Sequence, residues 1–225
     1  MMKDYSIFDI IGPIMIGPSS SHTAGACRIS YTAYHIVKKE IAKVTFILYG
    51  SFAKTYKGHG TDLALLGGIL GFKPDDARIV DAYELANQRG LEYAFQIASE
   101  ETIHPNTVKI IVTTTEGKEW CFIGESIGGG KMQLIHINGI DILFTGAYNT
   151  LITHHLDSPG MLAKISTVIS NHQINIANMK LYREARGEKA IGIIEIDEAI
   201  DTSAITELQS IPGVNYVNLI EKVYD

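Results

Sequence analysis

The sequence predicts an α+β protein built in two parts, and three observations carry that prediction. Helical apolar spacing dominates to about residue 98, period-two alternation with an Asn-Gly turn dominates from residue 107 to about 145, and the remainder runs strand–helix–strand twice. The first part, residues 1–147, reads as helices followed by an antiparallel sheet, and residues 148–225 form the second.

Cys27, Tyr31, Tyr34, Val37 and Ile41 share one helical face, while Arg28, Lys38, Lys39 and Glu40 can meet water. That helix is expected to begin near Ser21 to Ala24. Just upstream the chain reads Gly17-Pro18-Ser19-Ser20-Ser21-His22-Thr23. The hydroxyls of Ser19, Ser20, Ser21 and Thr23, with the first unpaired amides of the helix, offer donors to a small carboxylate or phosphate. His22 stands beside that anion and titrates near neutrality unless its surroundings shift it. The same hydroxyls also suit a plain helix cap, so both readings stand.

Val44 to Tyr49 reads as a buried strand, followed by a Gly- and Thr-rich loop from Gly50 to Asp62. In that loop His59 lies between glycines that let backbone approach a ligand; its plainer reading is a loop histidine bonded to a carbonyl. Thr61 or Asp62 is expected to cap a helix over Leu63 to Leu66, which Gly67, Gly68 and Gly71 weaken and stop. Asp81 to Ala98 reads as mostly helical with a break at Gly90.

His104-Pro105-Asn106-Thr107 is a turn into the first strand of the alternating region, and Asn106 is a candidate site contributor. Val108, Ile110 and Val112 alternate with Lys109, Ile111 and Thr113, and Glu116-Gly117 turns the chain into Trp120 to Gly124. Ser126-Ile127-Gly128-Gly129-Gly130 reads as a flexible turn or bulge, or as backbone packed against a ligand or chain. Met132 to Ile137 and Ile140 to Phe144 flank Asn138-Gly139, a hairpin signal because both turn residues need positive φ.

The last part opens with a strand, Asn149 to His155. Asp157-Ser158-Pro159-Gly160 then reads as a helix start, with an Asp or Ser cap and Pro in the first turn. Leu162, Ile165, Val168 and Ile169 form the helix's apolar face. Ile174 and Ile176 share one strand face while Met179 and Leu181 fall on the other, which predicts a bulge near Ala177-Asn178. A strand over Ala190 to Ile196, a helix capped near Asp201 and a strand over Val214 to Ile220 complete the order βαββαβ, the ferredoxin-like unit.

Composition narrows function. With 46% hydrophobic residues, a formal charge of −6 and no basic block, the chain lacks the clustered Lys and Arg that nucleic acid requires. No stretch approaches the roughly 18 apolar residues of a membrane span, and the start has too short an apolar run for a signal peptide, so the expectation is a cytoplasmic protein. Cys27 and Cys121 match no metal-binding spacing and read as buried thiols. His154-His155 points to opposite faces of a strand, which disfavours a metal pair, and no metal ligands are assigned.

Taken together, Gly17 to Thr23, Gly50-Ser51-Phe52, Gly58-His59-Gly60-Thr61-Asp62, His104 to Thr107 and Ser126 to Gly130 resemble the beta chain of iron–sulfur-dependent L-serine dehydratase. The Asp157-Ser158-Pro159-Gly160 unit resembles an ACT domain. The resemblance implies an allosteric-substrate-binding-type domain over 1–147 and an ACT domain over 148–225. It also implies conversion of L-serine to pyruvate and ammonia, and a partner alpha chain that carries a 4Fe-4S cluster on its cysteines. Such a cluster needs three or four thiolates, and two cysteines do not supply them.

Under this resemblance Ser19, Ser20, Ser21, His22, Thr23, His59 and Asn106 are substrate-binding or catalytic candidates, with His22 and His59 unranked as base. Asp157, Ser158, Pro159, Gly160 and Met161, with Asn175 and Ile176, match where ACT domains hold amino acids; the alternative is that this unit only mediates oligomerisation. A competing reading is a non-catalytic module resembling the regulatory end of phosphoglycerate dehydrogenase. No Gly-x-Gly-x-x-Gly follows a strand here, so no dehydrogenase half is present.

Overall fold

The computed structural model describes residues 13–100, 104–183 and 185–222, the side chain of Ile140 apart. The chain divides into two compact units, one ending at Thr145 and one beginning at Gly146.

In the first unit, β1 (Ile41–Leu48), β2 (Glu92–Ile97), β3 (Thr107–Thr114), β4 (Glu119–Gly128), β5 (Lys131–Ile137) and β6 (Ile140–Phe144) form one sheet in the order β2-β1-β3-β4-β5-β6. Every second residue of β1, β3 and β4 is buried: Val44, Phe46 and Leu48, then Val108, Ile110 and Val112, then Trp120 and Phe122. Helix α1 (Gly25–Val37) packs on β4 and β5 and against α3 (Thr61–Ile69). The Asn138-Gly139 hairpin forms as read, with φ of 48° and 87°.

Four details differ from the sequence reading. Gly50–Thr55 is a helix, α2, and not loop: Gly50 turns the chain at φ 51° and Ser51 N–H donates to Pro105 O at 2.7 Å, which opens a helical turn against β3's leader. Helix α3 is preceded by Gly60 in the left-handed region, so neither Thr61 nor Asp62 is its cap. Gly67 and Gly68 lie inside it and do not stop it; α3 is buried nearly all round, and tertiary packing outweighs their low propensity. Within Asp81 to Ala98 α-helix is confined to α4 (Ala82–Gln88), and past Gly90, at φ 67°, Glu92–Ile97 is strand β2. That strand runs parallel to β1, so the sheet is mixed and not purely antiparallel. The α2–α4 segment is the crossover that a parallel pair requires.

The second unit contains β7 (Asn149–Leu156), α5 (Met161–Asn171), β8 (Ile176–Arg183), β9 (Lys189–Ile196), α6 (Thr202–Ser210) and β10 (Val214–Ile220). Its antiparallel sheet has the order β10-β7-β9-β8, and Leu151, Ile165, Ile169, Ile194, Ile196, Ala204 and Leu208 form a core with no exposed surface. The bulge between Ile176 and Asn178 is present and brings both Ile176 and Met179 onto that core. Asp201 caps α6, accepting from Ala204 N–H at 2.8 Å. The start of α5 differs: Gly160, at φ 80°, is its N-cap residue, and the Asp157 carboxylate turns away to Gly187.

Gly68 is where α1 and α3 meet by backbone. A Cβ there would overlap the Cys27 carbonyl oxygen and sit 2.8 Å from Tyr31 N. Gly68→Ala is therefore expected to destabilise the chain by about 1–3 kcal/mol despite alanine's better helix propensity, read as a lower midpoint in chemical denaturation.

Candidate functional site

The hydroxyl-rich segment does begin a helix, by way of a π turn. Ser19 is extended (φ −139°, ψ 122°), its hydroxyl accepts from His22 N–H at 3.2 Å, and residues Ser20–Ala24 form a single π-helical turn before α1. Gly17, at φ 128°, lets the chain pass Thr23, whose methyl would collide with any Cβ there.

His22 is held on both ring nitrogens. Its Nδ1 lies 3.0 Å from Ser21 Oγ, with Ser19 Oγ 3.3 Å further along the hydroxyl chain, and its Nε2 lies 2.9 Å from Ser51 Oγ. Partial burial, and then the charge of His59, hold its pKa below the ordinary histidine value, so the ring is neutral at pH 7. One clamping hydroxyl must then donate to the ring while the other accepts.

His59 occupies the turn between α2 and α3, its ring centroid 4.8 Å from that of His22 at 69°; Phe52 flanks His22 at 5.4 Å. Its backbone is pinned by His59 N–H to Thr55 O at 3.0 Å and by Thr23 Oγ1–H to His59 O, also 3.0 Å. Thr23 is 3% exposed, and its hydroxyl braces the histidine turn. His59 Nδ1 is buried and has no hydrogen-bond partner among the described residues.

Residues 104–107 close the third side. Pro105 O accepts from Ser51 N–H at 2.7 Å, Asn106 O accepts from Ser126 N–H at 2.9 Å, and Thr107 Oγ1–H donates to His104 O at 2.6 Å. Asn106 Oδ1 is buried without a hydrogen-bond partner among the described residues. Ser126 is not in a flexible turn: it belongs to β4, packed under Gly25, and only Gly129-Gly130 turn the chain into β5. The structure thus joins the motif segments around 17–25, 50–61, 104–107 and 126 through consecutive contacts. Ser51 is the contact that sequence reading missed. It lies in a quoted motif, but no spacing signals a hydroxyl 29 residues from its histidine.

Among the described residues no group of three or more His, Cys, Asp or Glu side chains is placed to hold a metal ion. The buried Cys27 thiol donates to Phe72 O, and burial pushes its pKa far up, away from the thiolate that iron requires. These donors do not fit an iron–sulfur cluster.

In the second unit the two halves of the candidate effector site lie apart. Asp157 follows the end of β7 that pairs with Lys189, whereas Asn175 and Ile176 adjoin the end of β9 at Ile196. The eight-residue strand between them separates the two by roughly 20 Å. Asp157 accepts from Gly187 N–H at 3.1 Å, a bond that lowers its pKa together with nearby Arg183. Asn175 N–H donates to Glu198 at 2.7 Å and its amide donates to Asp197 at 2.6 Å. Beside the Asp157 end, His155 is 1% exposed, with Nδ1 3.0 Å from Leu156 O and Nε2 without a hydrogen-bond partner among the described residues. The alternation of His154 and His155 along the strand is as read, with His155 on the buried face.

Fold and site define a two-unit α+β chain in which a hydroxyl-clamped histidine faces a second histidine, followed by an ACT module that the sequence matches over residues 149–213. Residues 6–134 match the serine dehydratase beta chain, and the chain belongs to that family. It is 43% identical to the L-serine dehydratase beta chain of Peptoniphilus asaccharolyticus, covering 97% of this chain and 100% of that one. It is 41% identical to the probable L-serine dehydratase beta chain of Bacillus subtilis, covering 97% and 99%. Similarity to D-3-phosphoglycerate dehydrogenase of Bacillus subtilis is 25%, over 87% of this chain but only 37% of that protein. The dehydratase reading is favoured over the regulatory alternative by identity and by length.

The lowered pKa of His22 has a stability consequence of definite sign. The unfolded chain takes up the proton first, near the ordinary value of about 6.5, so the His22 contribution is complete above that pH and is lost as pH falls toward the lower folded value. Between pH 7 and 5 a His22→Gln chain is expected to lose less stability than wild type, measured by urea unfolding at both pH values.

Proposed function

We propose that this chain is the beta subunit of an L-serine dehydratase, and that it supplies the substrate-binding and proton-transfer half of the site. The observation that carries the reading is the uneven use of the two histidines. Both His22 nitrogens are engaged by hydroxyls, while His59 Nδ1, its ring centroid 4.8 Å from that of His22, has no hydrogen-bond partner among the described residues.

In this reading Ser19 and Ser20 bind the serine carboxylate with the amides of the π turn. Asn106 Oδ1 accepts from the substrate ammonium, and His59 Nδ1 takes the α-proton. His22 orients the hydroxyl chain around the anion and, being neutral, adds no competing charge. Loss of the α-proton and the β-hydroxyl leaves aminoacrylate and water; tautomerisation to the imine and hydrolysis then release pyruvate and ammonia. The 4Fe-4S cluster implied by the resemblance finds no ligand set among the described residues and is assigned to a separate alpha chain. The relatives' designation as beta chains supports that division of labour.

The separation of Asp157 from Asn175 bears on the ACT module as well. An amino-acid site using both requires two copies of the module, one giving each half, which accords with an oligomer formed through this unit.

With the alpha chain co-produced, His59→Ala is expected to lower serine turnover by about 10²–10⁴-fold, the range of a general base. Asn106→Ala should act mainly by raising KM. Unchanged pyruvate formation by both His22→Ala and His59→Ala complexes would remove the catalytic role. Calorimetry of the full chain with L-serine is expected to show a second binding event that Asn175→Ala abolishes without altering turnover at saturating serine.

A further inference from the structure

Asp62 follows His59 by three residues, in the first turn of α3, and is 5% exposed. A carboxyl group so far from water needs donors. Leu63 N–H reaches Oδ1 at 2.9 Å and the Tyr83 hydroxyl reaches Oδ2 at 2.7 Å. Tyr83 comes from α4, and its ring lies on Tyr93 and Phe95, with centroids 5.6 and 6.3 Å apart. Phe95 in turn stacks on Phe46 at 5.0 Å and on Tyr56 at 6.1 Å.

The turn that carries His59 is therefore tied down on both sides to one aromatic bed. Before it, the Tyr56 ring rests on Phe95, and Tyr56 O accepts from Thr61 N–H at 2.8 Å. After it, Asp62 is bonded to Tyr83. Ring packing resists displacement in many directions but sets little orientation, whereas the short O–H···O bond fixes both distance and angle. Burial, reinforced by the bond to Asp62, keeps the Tyr83 phenol well above its usual range, so it remains a donor throughout the working pH range.

We propose that Tyr83, acting through Asp62, is a positioning residue that holds the His59 ring in register with the site. Its catalytic consequence rests on His59 acting as the proton acceptor; its geometric consequence does not. Two variants separate the effects. Tyr83→Phe keeps the ring and removes the bond, and Asp62→Asn removes the charge but keeps both hydrogen bonds, its oxygen accepting from Leu63 N–H and its amide donating to the Tyr83 oxygen.

The first readout is long-range ¹H–¹⁵N NMR of the histidine rings in the full chain. Tyr83→Phe is expected to broaden or double the His59 signals while those of His136 and His172 stay single, and Asp62→Asn is expected to leave all three as in wild type. The second is turnover of the complex with the alpha chain, where Tyr83→Phe should lower kcat about tenfold or more with KM within about twofold. Asp62→Asn should retain most of kcat. Should Tyr83→Phe fold poorly, the Asp62→Asn/Tyr83→Phe chain, which buries no charge, is expected to show the same His59 disturbance. A single unshifted His59 signal in folded Tyr83→Phe overturns the positioning role. A disturbed His59 with unchanged kcat keeps the geometry and overturns the reading of His59 as acceptor.

Discussion

Helix α1 lies in backbone contact with its neighbours, and the site hangs from those contacts. Gly25 admits Ser126 of β4, Gly124 of β4 admits Ile29, and Gly68 of α3 presses against the Cys27 carbonyl. Three absent side chains let α1 settle deeper onto the sheet and against α3 than any larger residue allows. The π turn with its serines and His22 is the amino-terminal extension of this helix, and His59 stands just ahead of α3. The spacing of the two imidazoles is thus set by how closely two helices pack.

The hydroxyl clamp around His22 follows from that packing. Ser51 reaches Nε2 because α2 opens against Pro105, and Pro105 is where the chain enters β3. Helix, crossover and strand each contribute one wall; side-chain hydroxyls tie the helix to the crossover, and the Ser51–Pro105 backbone hydrogen bond ties the crossover to the strand. A site built this way is stiff on the sides this chain supplies. It leaves His59 Nδ1 and Asn106 Oδ1 without hydrogen-bond partners among the described residues, and buried groups of this kind are costly unless a ligand satisfies them.

Much of the architecture was legible in local chemistry. Asn138-Gly139 needs two positive φ angles, Asp201 offers an oxygen to the third amide of its helix, and the parity break between Ile176 and Met179 demands an extra residue in the strand. Each is decided within a few residues, and the structure agrees at all three. The misreadings share a different cause. Gly67 and Gly68 look like helix breakers until Ile79 is packed on the first and α1 is laid across the second. Leu91, Tyr93, Phe95 and Ile97 alternate as a strand does, but they follow a helix directly, and only β1 alongside makes the segment a parallel strand.

The sequence by itself determined the two-part α+β plan, the positions of the turns, and which residues carry titratable or hydroxyl groups in the motif segments, because periodicity and turn chemistry act over short distances along the chain. Tertiary structure alone decided that Ser51 clamps His22, that Thr23 braces His59, and that Asp157 and Asn175 sit at opposite ends of one sheet. Hydrogen-bond partners of that kind are chosen by the path of the folded backbone. Spacing along the sequence carries no record of that path.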